Sequence, residues 1–259
     1  MTVINRQAFS IFSMPLTVFM LAIIVSLTGC VSSTTLVEPN DRQLAEIAMI
    51  GGRPDSAVEI YRQLIEASPN DIELLYLLGR AYNQVGEHDL ALHYLTKAST
   101  ENRIAGHAER GDILRETGRV QLAQGQTDQA VMMLQQAAEL LPEDAIIQNS
   151  LGICYSLYKE YASARRAFTA ALAIEPGSLE YRNNLALGWI LDDKPQKGID
   201  VLYPTYLRGH STAKVRQNLA LAFAMKGNIE AAKELAKDDL TKAELANNVA
   251  YYTEWQANK

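Results

Sequence analysis

The sequence predicts an all-α solenoid of about six helix-turn-helix repeats, closed by a C-terminal capping helix. The repeating unit is clearest from Ala145 to Pro176, where two stretches with apolar residues on one helical face flank the polar pair Lys159 and Glu160. Neither helix can bury its apolar stripe alone, so the two are expected to fold back on each other as an antiparallel hairpin. Gly152 is small because the two helices are expected to approach most closely there.

The same pattern recurs along the chain, mostly at an interval of about 34 residues. The small position of the first helix is occupied in turn by Gly79, Gly118, Gly152, Ala186 and Ala220. From about residue 40 to the C-terminus, this pattern resembles the tetratricopeptide repeat (TPR). The interval from Gly79 to Gly118 is five positions longer than the next one, so extra residues near 99–107 are expected to lengthen a turn or a helix. A last helix at about 242–256 is expected to cap the open end.

The first 29 residues have the pattern of a lipoprotein signal peptide. Arg6 supplies a positive charge, an apolar run covers 18–25, and Leu27-Thr28-Gly29 precede Cys30. The segment resembles a bacterial lipobox, which implies a covalent lipid on Cys30. The predicted division is a signal peptide at 1–29, a lipidated N-terminus and linker at 30–39, and the repeat domain at 40–259. A transmembrane anchor and an unlipidated secreted protein are the alternatives. Val31 after the cysteine favours the outer membrane, by resemblance to enterobacterial lipoprotein sorting.

Charge and residue types argue for a binding protein and against an enzyme. The formal net charge is −6 at pH 7 and no basic run occurs, which argues against nucleic acid as a partner. The four histidines do not pair at helical spacing, and neither cysteine lies near one, so no metal site is predicted. No phosphate-binding loop or nucleophile motif is present, and no cofactor is expected. Cys154 is interpreted as a small core residue.

The partner-binding groove is predicted on the inner face of the solenoid. In TPR proteins the first helices line a concave groove, so we expect the residues one and five positions after each small position to face it. These positions include Arg80, Arg119, Ile153, Leu157, Leu187, Leu191, Leu221, Met225, Tyr251 and Trp255. The predicted groove is therefore polar and basic at one end, where Arg115 is added to the set, and apolar at the other. The alternative is that the solenoid buries these apolar residues in its own core.

A second row, of amide side chains, runs beside the apolar positions. It comprises Asn149, Asn183, Asn184 and Asn218. Amides both donate and accept hydrogen bonds, so they suit the backbone of an extended peptide. The alternative is that they only solvate the starts of helices.

The C-terminal part of the chain carries a narrower resemblance. The segment 214–251 contains VRQNLALAFAMKGNIEAAKELAKDDL and then NNVAYY, and RNNLALGWIL precedes it. With the lipobox, these stretches resemble the TadD family, the TPR lipoproteins of Tad (Flp) pilus assembly systems. The resemblance implies an outer-membrane lipoprotein on the periplasmic face, acting in a pilotin-like way on the secretin and other pilus assembly proteins. The alternatives are a TPR lipoprotein of another envelope machine, such as type IV pili or outer-membrane protein insertion, and an accessory subunit of a periplasmic enzyme.

Overall fold

The computed structural model describes residues 40–257, with side chains described as far as Glu254, and this range folds into thirteen α-helices with no strand. The helices are α1 (Asp41–Ile50), α2 (Pro54–Ala67), α3 (Ile72–Val85), α4 (His88–Ile104), α5 (Gly111–Ala123), α6 (Thr127–Leu140), α7 (Ala145–Leu157), α8 (Tyr161–Ile174), α9 (Leu179–Leu191), α10 (Pro195–Leu207), α11 (Ala213–Met225), α12 (Ile229–Ala236) and α13 (Lys242–Ala257). Helices α1 to α12 form six consecutive hairpins, and α13 follows them. The predicted fold class is confirmed.

The hairpins stack so that the odd-numbered helices share one side of the solenoid. From α3 to α11, each odd-numbered helix packs against its own partner and against the second helix of the preceding repeat. Consecutive odd-numbered helices from α3 to α11 also contact one another. Helix α13 packs on α12 and α11, which is the position of the predicted capping helix. This stacking turns the first helices of successive repeats toward a common inner face.

Side-chain caps mark where most of the first helices begin. Asp144 accepts a hydrogen bond from the Ile147 amide, and Ser178 and Thr212 cap α9 and α11 in the same way. These three caps follow one another one repeat length apart. Each such cap contributes about 0.5–2 kcal/mol, so the polar residue that ends each inter-repeat loop also sets the register of the next repeat.

Small residues lie where the paired helices touch, as the sequence predicts. A Cβ atom added to Gly152 would lie 2.4 Å from a ring carbon of Phe168 on the partner helix. In the fifth repeat the arrangement is exchanged. Ala186 occupies the first helix, and the glycine is Gly198 on α10, where a Cβ atom would lie 2.5 Å from Ile190. Either helix of a hairpin can therefore supply the missing side chain that permits close packing.

The extra residues between the second and third repeats add three residues to α4 and two to the turn at 105–110, whereas the sequence predicts a longer turn or a longer entering helix. Helix α4 has 17 residues, whereas α2, α6 and α8 have 14 each. The buried side chain of Asn102 ties this extension down, since its Nδ2 donates to the Ala108 carbonyl oxygen over 2.8 Å.

The predicted signal peptide, Cys30 and the linker lie outside the described residues, as does the side chain of Trp255. Among the helices of 40–257, none has both the length and the apolar character needed to cross a membrane.

Candidate protein-binding groove

The first helices of five repeats line a cavity of about 730 Å³, which we call the polar cavity. It extends from Ile50 on α1 to Tyr181 on α9. The predicted groove residues that line it are Arg80, Arg115, Arg119, Asn149 and Ile153. The structure thus brings these five side chains to one cavity, and Ile153, which the sequence analysis assigned to the apolar end, lies among them.

Two of the three arginines share one buried carboxylate as an ion-pair partner. Glu116 is only 1% exposed, and its Oε2 lies 2.9 Å from Nη1 of Arg119. Its Oε1 lies 3.2 Å from Nε of Arg115. Nη1 of Arg115 also contacts Oδ2 of Asp144 at 2.5 Å, and Nη2 donates to the Tyr76 hydroxyl over 2.9 Å. A buried charge needs such partners because it has lost its water.

The pKa of Arg115 reflects this arrangement. Burial disfavours its charge, but Tyr76, Glu116 and Asp144 outweigh that effect and raise the pKa of Arg115 above its usual value. Arg115 is thus a permanently charged, internally paired side chain. Arg80, by contrast, has no ion-pair partner among the described residues. Of the three arginines at the predicted basic end of the groove, Arg80 is therefore the one whose charge is not paired with a carboxylate of the described residues.

The amide row joins adjacent repeats to one another. Nδ2 of Asn184 donates to Oδ1 of Asn149 over 2.8 Å, and Nδ2 of Asn218 donates to Oδ1 of Asn183 over 2.9 Å. Asn149 and Asn183 are buried, and Asn149 also donates to Glu180 over 3.3 Å. These bonds occupy groups that the sequence interpretation reserved for a peptide backbone, so the amides hold the repeats in register. The reason is the nearly constant repeat length, which places each amide beside the residue 35 positions on, one past its equivalent in the next repeat.

A second cavity, of about 440 Å³, lies at the C-terminal end of the inner face, and we call it the apolar cavity. The predicted groove residues that line it are Leu191, Leu221, Met225 and Tyr251, and Ile190, Asp193 and Tyr252 complete the wall. Leu191 is 45% exposed and Tyr251 is 63% exposed. Leu221 and Met225 are half-buried and pack against the core of the last repeats. The cavity therefore has a floor fixed by the fold and a rim of exposed apolar side chains.

The residues of the predicted apolar strip do not all line the two cavities. Leu157 is exposed, Leu187 is half-buried, and neither lines one of the two cavities. Ile153, which precedes both residues in the sequence, lies in the polar cavity.

Sequence reasoning missed the acidic partners of the arginines. Arg115, Glu116 and Arg119 are neighbours on one helix, and the spacing of Glu116 and Arg119 is that of a helical ion pair. That part could have been predicted. The contacts of Arg115 with Asp144 and Tyr76 join residues 29 and 39 positions apart, and only the stacking of the repeats brings them together.

Within the described residues, no cluster of three histidine, cysteine or acidic side chains is placed to hold a metal ion. The thiol of Cys154 is fully buried, and burial raises its pKa to about 11, so it has little thiolate at neutral pH.

Comparison with protein families identifies the repeats. Models of the tetratricopeptide repeat match residues 40–81, 71–143 and 121–187, which together cover more than half of the chain. Among curated proteins, the chain is 28% identical over 144 residues to the BBSome complex member BBS4 of Bos taurus. That match covers 56% of this chain and 27% of the relative. A match to BBS4 of Xenopus tropicalis is 30% identical over 106 residues and covers 40% of this chain and 19% of the relative. The chain thus spans about a quarter of these relatives or less.

Solved structures share the fold at low sequence identity. The TPR protein TTC0263 of Thermus thermophilus has a TM-score of 0.60 at 20% identity, covering 71% of this chain and 97% of that chain. PilF of Pseudomonas aeruginosa has a TM-score of 0.63 at 18% identity, covering 85% of this chain and 96% of that one. The APC/C hetero-tetramer Cut9–Hcn1 matches with a TM-score of 0.67 at 16% identity, over 81% of this chain and 42% of that chain.

Proposed function

This chain belongs to the tetratricopeptide-repeat proteins, and we propose that it is an outer-membrane-anchored periplasmic lipoprotein that assists assembly of the secretin of a Tad (Flp) pilus machine. The fold is a protein-interaction scaffold, built of stacked hairpins with a common inner face. The proposed action is pilotin-like: the protein binds a segment of the secretin and places or stabilises it at the outer membrane.

The apolar cavity is the observation that carries this proposal. Leu191 and Tyr251 stand exposed at its rim, while Leu221 and Met225 form its floor. Large apolar side chains exposed at the rim of a concave surface, as Leu191 and Tyr251 are, are typical of a site that receives an apolar segment of another protein. Burying one leucine of that kind contributes about 1.5–3 kcal/mol, so a few contacts suffice for stable binding.

Location and partner are supported by the sequence. The lipobox at Cys30 supplies an anchor, and lipid attachment is the form of membrane association that we propose. The resemblance of segment 214–251 to the TadD family is the reason for proposing a Tad pilus machine as the partner. Part of that segment contributes Leu221 and Met225 to the apolar cavity, and Tyr251 stands at its end. The most specific part of the resemblance and the candidate binding surface therefore coincide.

The test of the proposal replaces apolar side chains at the rim of the apolar cavity with charged ones. The double variant Leu191→Glu/Tyr251→Glu puts two carboxylates on exposed positions, so it should fold with nearly the parental melting temperature and helical circular dichroism spectrum. Its matched control is Met132→Glu/Leu207→Glu, which adds the same charge at similarly exposed apolar positions on the second helices α6 and α10. We expect the control to co-purify with the secretin from detergent-solubilised membranes, and the rim variant to lose it.

Two results would count against the proposal. A folded rim variant that still retains the secretin would exclude the apolar cavity as its binding site. Recovery of a secretin or insertion machine of another pathway with the parental protein, lost again in the rim variant, would favour the alternative of a lipoprotein for that machine.

A further inference from the structure

Helix α1 exposes apolar residues on the side that faces away from the core. Leu44, Ile47 and Ile50 follow one another at intervals of three, so they lie on one side of the helix. They are 41%, 51% and 87% exposed, whereas the side of α1 that packs against α2 is buried. The outer side of a surface helix is ordinarily polar. Here it is apolar.

Most of the equivalent positions in later repeats are buried. Leu44 and Ile47 correspond to Leu78 and Ala81, which occupy the same positions in the second repeat and are fully buried. The pairs Leu151 with Cys154 and Leu219 with Ala222 are their equivalents in later repeats and are buried as well. Those residues are covered because each later first helix packs on the second helix of the preceding repeat. Helix α1 has no preceding helix within residues 40–257, so its inter-repeat face stays open.

We propose that this open face, formed by Leu44 and Ile47 with Ile50 at its edge beside the polar cavity, rests on the lipid surface to which Cys30 is anchored. The inference depends on the acylation of Cys30 that the proposed function includes. Nine residues separate Cys30 from Asn40, the cap of α1. Fully extended, such a linker reaches about 30 Å at most. The first repeat is therefore the part of the solenoid that the anchor keeps next to the bilayer.

The tether makes a small apolar contact sufficient. A linker of this length converts membrane contact into an intramolecular event with a high effective concentration. The acylated cysteine supplies the attachment to the bilayer, and an apolar face beside it adds a second contact that fixes the orientation of the first repeat. Without such a contact, the solenoid would be free to reorient about its linker. With it, the polar and apolar cavities keep a defined direction relative to the membrane.

The polar residues of the face suit contact with lipid headgroups. Asn40 and Gln43, which flank Ile47, are uncharged and satisfy each other through a capping box. The one basic side chain of α1, Arg42, is directed to the neighbouring repeat, where its Nη2 lies 3.5 Å from Oε1 of Glu73. Glu46 is the acidic residue nearest the face, at its edge one turn from Ile50, where a carboxylate remains in the hydrated headgroup layer. The three apolar side chains can therefore enter the interface without burying a charge.

A fluorescent probe at Ile47 tests the proposal on the full mature lipoprotein. The variant Ile47→Cys is labelled with the polarity-sensitive dye nitrobenzoxadiazole. The buried thiol of Cys154 does not compete. Met132→Cys is the matched control, since Met132 is a similarly exposed apolar residue on α6. After reconstitution into vesicles of phosphatidylethanolamine and phosphatidylglycerol, we expect blue-shifted emission at position 47, severalfold lower quenching by iodide, and strong quenching by nitroxide-labelled lipids. At position 132 all three should stay as in water.

Each other outcome overturns the proposal in a recognisable way. If the protein carries acyl chains by mass spectrometry but both probes stay in water, the face does not touch lipid, while the lipoprotein assignment stands. If Cys30 is not acylated, the anchor of the proposed function is wrong and this inference falls with it. Shielding of position 47 before vesicles are added means another occupant: a second copy of the chain if it depends on protein concentration, and the chain's own linker if it does not.

Discussion

The two cavities are built from equivalent helices of successive repeats, yet they differ in what they leave available for a partner. In the polar cavity, Arg115 and Arg119 share the buried Glu116, so most of its charge is already compensated. In the apolar cavity, Leu191 and Tyr251 have exposed surface that no described element covers. The difference teaches that residue type on an inner face is a poor guide to binding capacity. A buried charge such as that of Glu116 acquires internal partners because its desolvation is costly, whereas apolar rim residues stay exposed at little cost.

The same contrast holds for how the repeats are joined. The third repeat is tied to the fourth by an ion pair, in which Asp144 both caps α7 and contacts Arg115 on α5. The fourth, fifth and sixth repeats are tied by neutral amide pairs, Asn149 with Asn184 and Asn183 with Asn218. On the inner face, the third and fourth repeats are therefore joined by an ion pair and the later repeats by hydrogen bonds between neutral amides.

The largest effect is expected from removing the buried carboxylate. Glu116→Ala leaves Arg115 and Arg119 without their shared partner, and breaking a buried pair in this way costs about 3–5 kcal/mol. Urea unfolding followed by circular dichroism measures the loss. Glu143→Ala, at an exposed acidic residue three positions before Ile146, should stay within about 0.5 kcal/mol of the parent. Equal stability of the two variants would contradict the role given to Glu116.

A smaller effect is expected where the two halves meet. Gly152→Leu forces a side chain into the ring of Phe168, and overpacking of this kind costs about 1–3 kcal/mol. Gly177→Leu is the matched control, because a Cβ atom there meets nothing within 4 Å. Thermal unfolding should separate the two variants clearly. A parental melting temperature for Gly152→Leu would mean that α7 and α8 can shift apart at no cost.

The amide pairs should each contribute less than the buried carboxylate. Asn183→Ala removes the acceptor of the Asn218 side chain, and we expect a loss of about 1 kcal/mol in the free energy of unfolding. Asn247→Ala, at an exposed amide on α13, serves as control. In a double-mutant cycle, Asn183→Ala and Asn218→Ala should be non-additive, because they share one bond. Simple additivity would argue that the two side chains act independently.

The smallest effect concerns the attachment of the last helix, and it depends on pH. The hydrogen bonds from Arg216 lower the pKa of Asp239, which lies in the turn between α12 and α13. Asp239→Asn should therefore cost about 0.5–1 kcal/mol at neutral pH. A lowered folded-state pKa stabilises above the ordinary aspartate pKa of about 3.9, and the contribution disappears as the pH falls through the lower folded value. The variant and the parent should converge in stability below that pH, and a constant difference would exclude this pair as the cause.

The repeat architecture could be predicted because each repeat has the same local sequence pattern. The interval between Gly118 and Gly152, the apolar stripes and the helix caps are local patterns, and local patterns specify local structure. The length of α4 could be anticipated for the same reason, from the longer interval between two repeats. Four residues of the apolar cavity were likewise placed by counting from the small position of each first helix.

What the sequence by itself determined was therefore the hairpin, its number of copies and which side of each first helix faces inward. Only the tertiary structure decided which inward residues meet. Stacking brought Asp144 and Tyr76 to Arg115, paired Asn149 with Asn184, and left Leu157 outside both cavities. The physical reason is that each repeat adds a rotation to the solenoid, and small rotations accumulate. Periodicity states that a residue faces the groove, but the summed rotations set its neighbours, and neighbours decide whether a charge is paired and whether an apolar side chain stays exposed.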